Sequence, residues 1–275
     1  MMITMNKTIN EKLIQTPPKT PNEGQVIVMA GSAGSGKNFS IDNFTDIGNK
    51  FKVLDIDDLQ HLVVKSKVIF KRFREFLEKI DSPFADYTDS DLRDPSIFRD
   101  SEFVDTIYDF LTVNNIPRSR LDVFLRTNKK SERLPNVVIN TTFGNVDNVK
   151  KKLQVLMDHG YKKENINLLW ILTTKEESMM RNLSRERTVK GDYLEKNYAE
   201  TVRNMKEIIS KQSGLLNTYI DGKIWAVFNT SLLTRFHDNS KLVKDFTYVT
   251  LKDENGWNKS EIEKLNRWIS GIGRS

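Results

Sequence analysis

The 275-residue chain contains no cysteine. That excludes disulfide staples and thiolate metal sites, so folding must rest on an apolar core. Its three histidines, His61, His159 and His237, are scattered and give no cluster for zinc. No stretch reaches 18 consecutive apolar residues and no charged-then-apolar signal opens the sequence, so the expected setting is cytoplasmic. Proline is scarce, and Pro17, Pro18 and Pro21 gather near the start, where residues 1–24 read as a loose polar leader. There is no internal repeat. The full chain is 38% hydrophobic, enough for one α/β domain with insertions or one domain with an appendage. The formal charge of +6 is compatible with polyanionic partners without demonstrating one.

Against these absences one stretch stands out, Gln25 to Ile41, QVIVMAGSAGSGKNFSI. Val26 to Met29 form an unbroken apolar run, the pattern of a strand buried on both faces in a parallel sheet. Gly31, Ser32, Ala33, Gly34, Ser35, Gly36 and Lys37 follow. Glycines there let the chain turn tightly and aim backbone N–H groups inward, making an anion nest ahead of a helix N-terminus. Lys37 adds a cation with the reach to touch the β- and γ-phosphates of a nucleotide, and the GxxxxGK spacing is filled by Gly31, Gly36 and Lys37. One position departs from the pattern: residue 38 is Asn, where Ser or Thr normally offers a hydroxyl to Mg²⁺. Either the ion is ligated by the amide oxygen of Asn38, or it is held through Ser40 or water, or phosphoryl transfer is weakened.

Strands alternate with helices along the chain, which indicates a parallel sheet covered on both faces. A second short strand, Phe51 to Asp55, ends in the acidic group Asp55, Asp57 and Asp58. Carboxylates at the carboxyl end of a parallel strand face the same side as the phosphate loop. Residues 59–134 are helical and polar and interrupt the sheet pattern as a cap insertion. Within it Ile69, Phe73, Phe76, Leu77 and Ile80 share one helical stripe, amid Lys67, Lys71, Arg72 and Arg74. Those cations form a solvated face of a packed helix or a surface for substrate phosphate. Residues 81–100 are acidic and turn-rich, a helix spans about 102–113, and residues 118–133 are cationic. Further strands are expected at 137–139, 166–172 and 224–228, with a helix at about 146–159 stopped by Gly160. Residues 176–189 and 193–209 are helical, 247–251 fit an edge strand, and 260–272 a last helix.

Phosphoryl transfer needs charge neutralised on the moving group, the acceptor oxygen oriented, and water kept out. Asp57 is the candidate for orienting the acceptor or serving as general base; the competing role is a helix cap, for which Asp58 is better placed. Asp55 is a candidate to hold the metal through water. The lid candidates are Arg181, Arg185 and Arg187, of which the first two, four apart, share a helix face. Surface ion pairs with Glu176, Glu177 and Glu186 are the alternative.

The order GSAGSGK, then LDIDD, VVINTTF, a strand into LTT, and RNLSRER resembles the zeta-toxin and polynucleotide-kinase-like group of P-loop kinases. The likeness covers roughly residues 25–210 and is specific at the phosphate loop. It implies a P-loop NTPase three-layer sandwich with a parallel sheet of about five strands, a helical insertion and a lid at about 176–190. It further implies ATP and Mg²⁺, proton acceptance by Asp57, and contact of Arg185 and Arg187 with ATP phosphates. The implied acceptor is a hydroxyl on a nucleotide, a nucleic-acid end or a nucleotide sugar. A GTPase is excluded: Asn128-Lys129-Lys130-Ser131 lacks the final Asp of NKxD. Two other classes compete, a non-catalytic nucleotide-binding module with an impaired Mg²⁺ site and a protein that binds only nucleic acid.

Overall fold

Every residue of β1 (Val26–Ala30) is fully buried, and the sheet is built outward from it. The computed structural model describes residues 24–44, 51–54, 56–116, 121, 125, 134–184, 191–212, 215–230, 236–237, 241–242 and 247–272. β1 leads through the glycine-rich loop into α1 (Lys37–Phe44), β2 (Phe51–Leu54), α2 (Ile56–Lys65) and α3 (Lys67–Lys79). Then come α4 (Asp89–Arg93), α5 (Ser101–Val113), β3 (Asn136–Asn140), α6 (Val146–Asp158) and β4 (Ile166–Leu172). The second half holds α7 (Lys175–Leu183), α8 (Gly191–Lys211), α9 (Leu215–Thr218) and β5 (Ile224–Phe228). A two-residue pair, β6 (Phe236–His237) and β7 (Lys241–Leu242), precedes β8 (Thr247–Asp253), β9 (Gly256–Trp257) and α10 (Lys259–Ile272).

The seven-stranded sheet runs β2-β3-β1-β4-β5-β8-β9, with the first five strands parallel. This order makes the site. After β1 the chain moves towards β2, whereas after β3 and β4 it moves the other way. Right-handed crossovers therefore leave on opposite faces and open a crevice at the carboxyl end of β1. Val26, Val28 and Ala30 pack in one core with α6, α8 and α10, and Ile27 and Met29 are buried on the opposite face.

The sheet is larger than five strands. β8 pairs antiparallel with β5 and is followed by the short return β9, so 247–253 is not the edge. Its alternation follows from that place: Val249 and Leu251 are buried while Tyr248 and Thr250 are partly exposed.

The helical insertion has a core of its own. Phe70, Phe73 and Leu77 of α3 meet Phe103, Ile107 and Phe110 of α5, with Phe73 edge-on to both Phe103 and Phe110. The stripe expected on α3 is shifted: Phe70 is buried, while Ile80 is at the C-cap and exposed. Residues 81–100 are more helical than their composition indicates. Their acidic and hydroxyl side chains act as N-caps: Ser82, Thr88 in a capping box with Asp91, Asp94 and Asp100 each open a helical turn. Two of the basic residues on α3 serve the fold, Arg72 donating to Asn114 Oδ1 at 2.8 Å and Arg74 to Tyr87 O at 2.8 Å. Among the described residues no helix is long and apolar enough to cross a membrane.

Candidate functional site: a braced phosphate loop

All six carbonyls from Gly31 to Gly36 accept a hydrogen bond. Lys37 Nζ folds back over the loop and donates to Gly31 O at 2.7 Å and Ser32 O at 2.9 Å. Ser178 Oγ donates to Ala33 O, and Arg181 Nη1 reaches Gly34 O at 3.5 Å. Asn229 Nδ2 donates to Ser35 O at 2.6 Å, and Gly36 O takes both Ser40 N–H and Ser40 Oγ at 2.9 Å. In a planar trans peptide the N–H of the next residue points opposite to the carbonyl. Holding the carbonyls of Ala33 and Ser35 against Ser178 and Asn229 therefore turns the amides of Gly34 and Gly36 to the other side, into the hollow of the loop, while Ser35 N–H donates to Ser32 O at 3.2 Å. The positive end of α1 stands at the same place.

Every donor that braces the outside comes from far along the chain. Ser178 and Arg181 lie on α7, which starts just after β4; Asn229 directly follows β5. Ser178 is fully buried, and its single proton is committed to Ala33 O, so Ser32 Oγ donates to Ser178 Oγ across 3.0 Å. Arg181 is 15% exposed and donates to Asn229 O at 3.2 Å from both terminal nitrogens, with Glu177 Oε2 3.8 Å away. Its guanidinium thus ties the loop to the ends of β4 and β5. Arg181, expected from the sequence to bind the nucleotide, is bonded here to main-chain carbonyls of the loop and of β5's exit.

Thr173 Oγ1 donates to the buried Glu177 Oε2 at 3.2 Å, and Tyr198 OH donates to Thr173 O at 2.9 Å. Burial pushes the Tyr198 hydroxyl up to about 12, helped by the negative charges of Glu176 and Glu177. An unfolded tyrosine ionises near 10, so the folded state holds this proton more tightly. The contribution to stability is complete below pH 10 and is lost as pH rises towards 12. Urea midpoints should fall across that window, and less steeply in Tyr198→Phe. Tyr161, also pushed up by burial, accounts for a residual slope of the same sign.

Asn38 is exposed, and its Oδ1 accepts from Asn140 Nδ2 at 3.0 Å. Ser40, the alternative hydroxyl, is buried and turned onto Gly36 O. Among the described residues no group of three His, Cys, Asp or Glu is placed to hold an ion. Mg²⁺ favours carboxylates, phosphates and water. The described donors do not fit it.

Asp57 belongs to the first turn of α2, directly after β2, and Asp58 is inside that helix and so is not its cap; their side chains lie outside the described residues, as do Asp55, Arg185 and Arg187. α7 is described to Leu183, with Ser184 at its C-cap. Missed at the sequence level were Asn140, Ser178 and Asn229. Two of these end or directly follow parallel strands, where ligands bind in open α/β sheets. That position was the available signal.

A glycine loop closed by a lysine, between a central parallel strand and a helix at a switch point, decides the architecture. This is a P-loop fold. No family model matches the chain, and no curated protein matches it in sequence. Among solved structures it is similar to one from the PezAT chromosomal toxin–antitoxin system of the human pathogen Streptococcus pneumoniae, at 17% identity over 98% of this chain and 91% of that one, TM-score 0.44. It is also similar to AvrRxo1-ORF1:-ORF2 solved with ATP, at 12% identity over 90% of this chain and 63% of that one, TM-score 0.45. A third is deoxyadenosine kinase from M. mycoides with bound dATP, at 12% identity over 90% and 99%, TM-score 0.32.

Proposed function

We propose that the chain binds ATP by its phosphate tail in the 31–37 loop and transfers the γ-phosphate to a hydroxyl on a nucleotide, a nucleic-acid end or a nucleotide sugar. The observation that carries this is the complete engagement of the loop's outer carbonyls, which presents its amides and Lys37 to an anion. In this reading the acceptor oxygen bonds to the γ-phosphorus as the bond to the β-γ bridging oxygen breaks. The acceptor's proton passes to the Asp57 carboxylate and ADP leaves. Arg185 and Arg187 close on the phosphates, while Arg181 keeps the loop in shape. The acceptor classes come from the resemblance to zeta-toxin and polynucleotide-kinase-like enzymes.

A second reading, a nucleotide-binding module without transfer, is favoured by the Asn38–Asn140 contact at the expected Mg²⁺ position. γ-Labelled ATP with a panel of 5′-hydroxyl oligonucleotides, nucleosides and nucleotide sugars separates the two. Transfer that Asp57→Asn abolishes while ATP affinity is kept supports the kinase. Tight ATP binding with no label on any acceptor supports the module.

A further inference from the structure

In P-loop NTPases Mg²⁺ is held by the hydroxyl after the loop lysine and by an aspartate on a neighbouring strand. In this chain both places are taken by asparagine. Asn38 follows Lys37, and Asn140 ends β3, where the register sets it opposite Met29 at the root of the loop. The two side chains meet at 3.0 Å, joining residues 102 positions apart.

The direction of that bond matters more than its presence. Asn140 is the donor, so the Asn38 oxygen, the lone-pair atom a cation would need, faces amide hydrogens. With one lone pair of that oxygen taken, Asn38 also presents its NH₂ group, a donor suited to anions. A hydroxyl and a carboxylate would together carry a negative charge into the site; two amides carry none. Ser40 does not replace the hydroxyl, since it is fully buried within α1 with its Oγ turned onto Gly36 O.

We infer that this loop grips a nucleotide's terminal phosphates without a metal held at positions 38 and 140, Asn38 Nδ2 donating to the phosphates in its place. The inference rests on the nucleotide-binding reading above, and its test separates the two. ATP affinity is measured by calorimetry in excess MgCl₂ and again in excess EDTA. The wild-type constants should agree within about twofold, and Asn38→Ala should weaken both to the same extent. The double variant Asn38→Thr, Asn140→Asp should acquire a Mg²⁺ dependence of about tenfold or more. Should the double variant fail to fold, Asn38→Ala decides alone, and full ATP affinity in that variant overturns the role given to Asn38. A wild-type affinity that drops about tenfold in EDTA overturns the inference and leaves nucleotide binding intact. No ATP binding in either buffer overturns both.

Discussion

Lys37→Ala is expected to weaken ATP binding by about 10- to 100-fold, the range set by losing one hydrogen bond to a charged group. The ammonium is already poised over the loop, donating to Gly31 O at 2.7 Å and Ser32 O at 2.9 Å. It can exchange a carbonyl for a phosphate oxygen with little rearrangement, so little ordering entropy opposes binding. Folding should suffer less. Ser32 O retains the Ser35 N–H, so the cost in stability is about 1 kcal/mol. Lys37→Met keeps the aliphatic stem and should match alanine in affinity while losing less stability. Lys37→Arg should not rescue binding, because a planar fork is wider than an ammonium and cannot point into the same hollow. Calorimetry of the three variants, with urea unfolding alongside, reads both quantities. Affinity near wild type in Lys37→Ala would remove the phosphate reading of the loop. The same variant also discriminates against a protein that binds only nucleic acid, since salt-sensitive RNA or DNA binding would then survive it.

How far the sequence led depends on whether the relevant physics is local. β1, β4 and β5 were legible within a residue because a strand buried on both faces is an unbroken apolar run with polar or glycine punctuation. The loop was legible because backbone conformation demands glycine at fixed spacing. α6 and α5 carried their apolar stripes and were placed well. Residues 81–100 were not, because a capping side chain and a turn-forming side chain are the same residue types, and only the bonds made by Ser82, Thr88, Asp94 and Asp100 tell them apart. The bracing shell was the hardest to see. Asn229 meets Ser35 across 194 positions, Arg181 meets Gly34 across 147, and Asn140 meets Asn38 across 102. None of those spacings has a periodic signature. Arg181 in particular looked like a lid cation from its helix alone, and its partners are supplied by the strand order.

Gly34→Ala is the substitution expected to damage the fold and the site together. Gly34 has φ +80°, a backbone conformation that costs an L-residue energy, and a Cβ built there would lie 2.4 Å from Ser178 O. That oxygen is main chain within α7, so relief requires moving the helix or the loop, and either motion breaks the Ser178 bond to Ala33 O and the Arg181 bond to Gly34 O. The expected loss is on the order of 3 kcal/mol, with ATP binding abolished. Gly256→Ala supplies the comparison: its φ is +102°, but nothing lies within 4 Å of the added carbon. It bears conformational strain without the clash and should lose about 1–2 kcal/mol with ATP affinity unchanged. The difference between the two urea midpoints therefore isolates the contact between α7 and the loop. Equal losses in the two variants, or a Gly34→Ala protein that still binds ATP, would mean that α7 does not hold the loop in the shape from which the site has been derived.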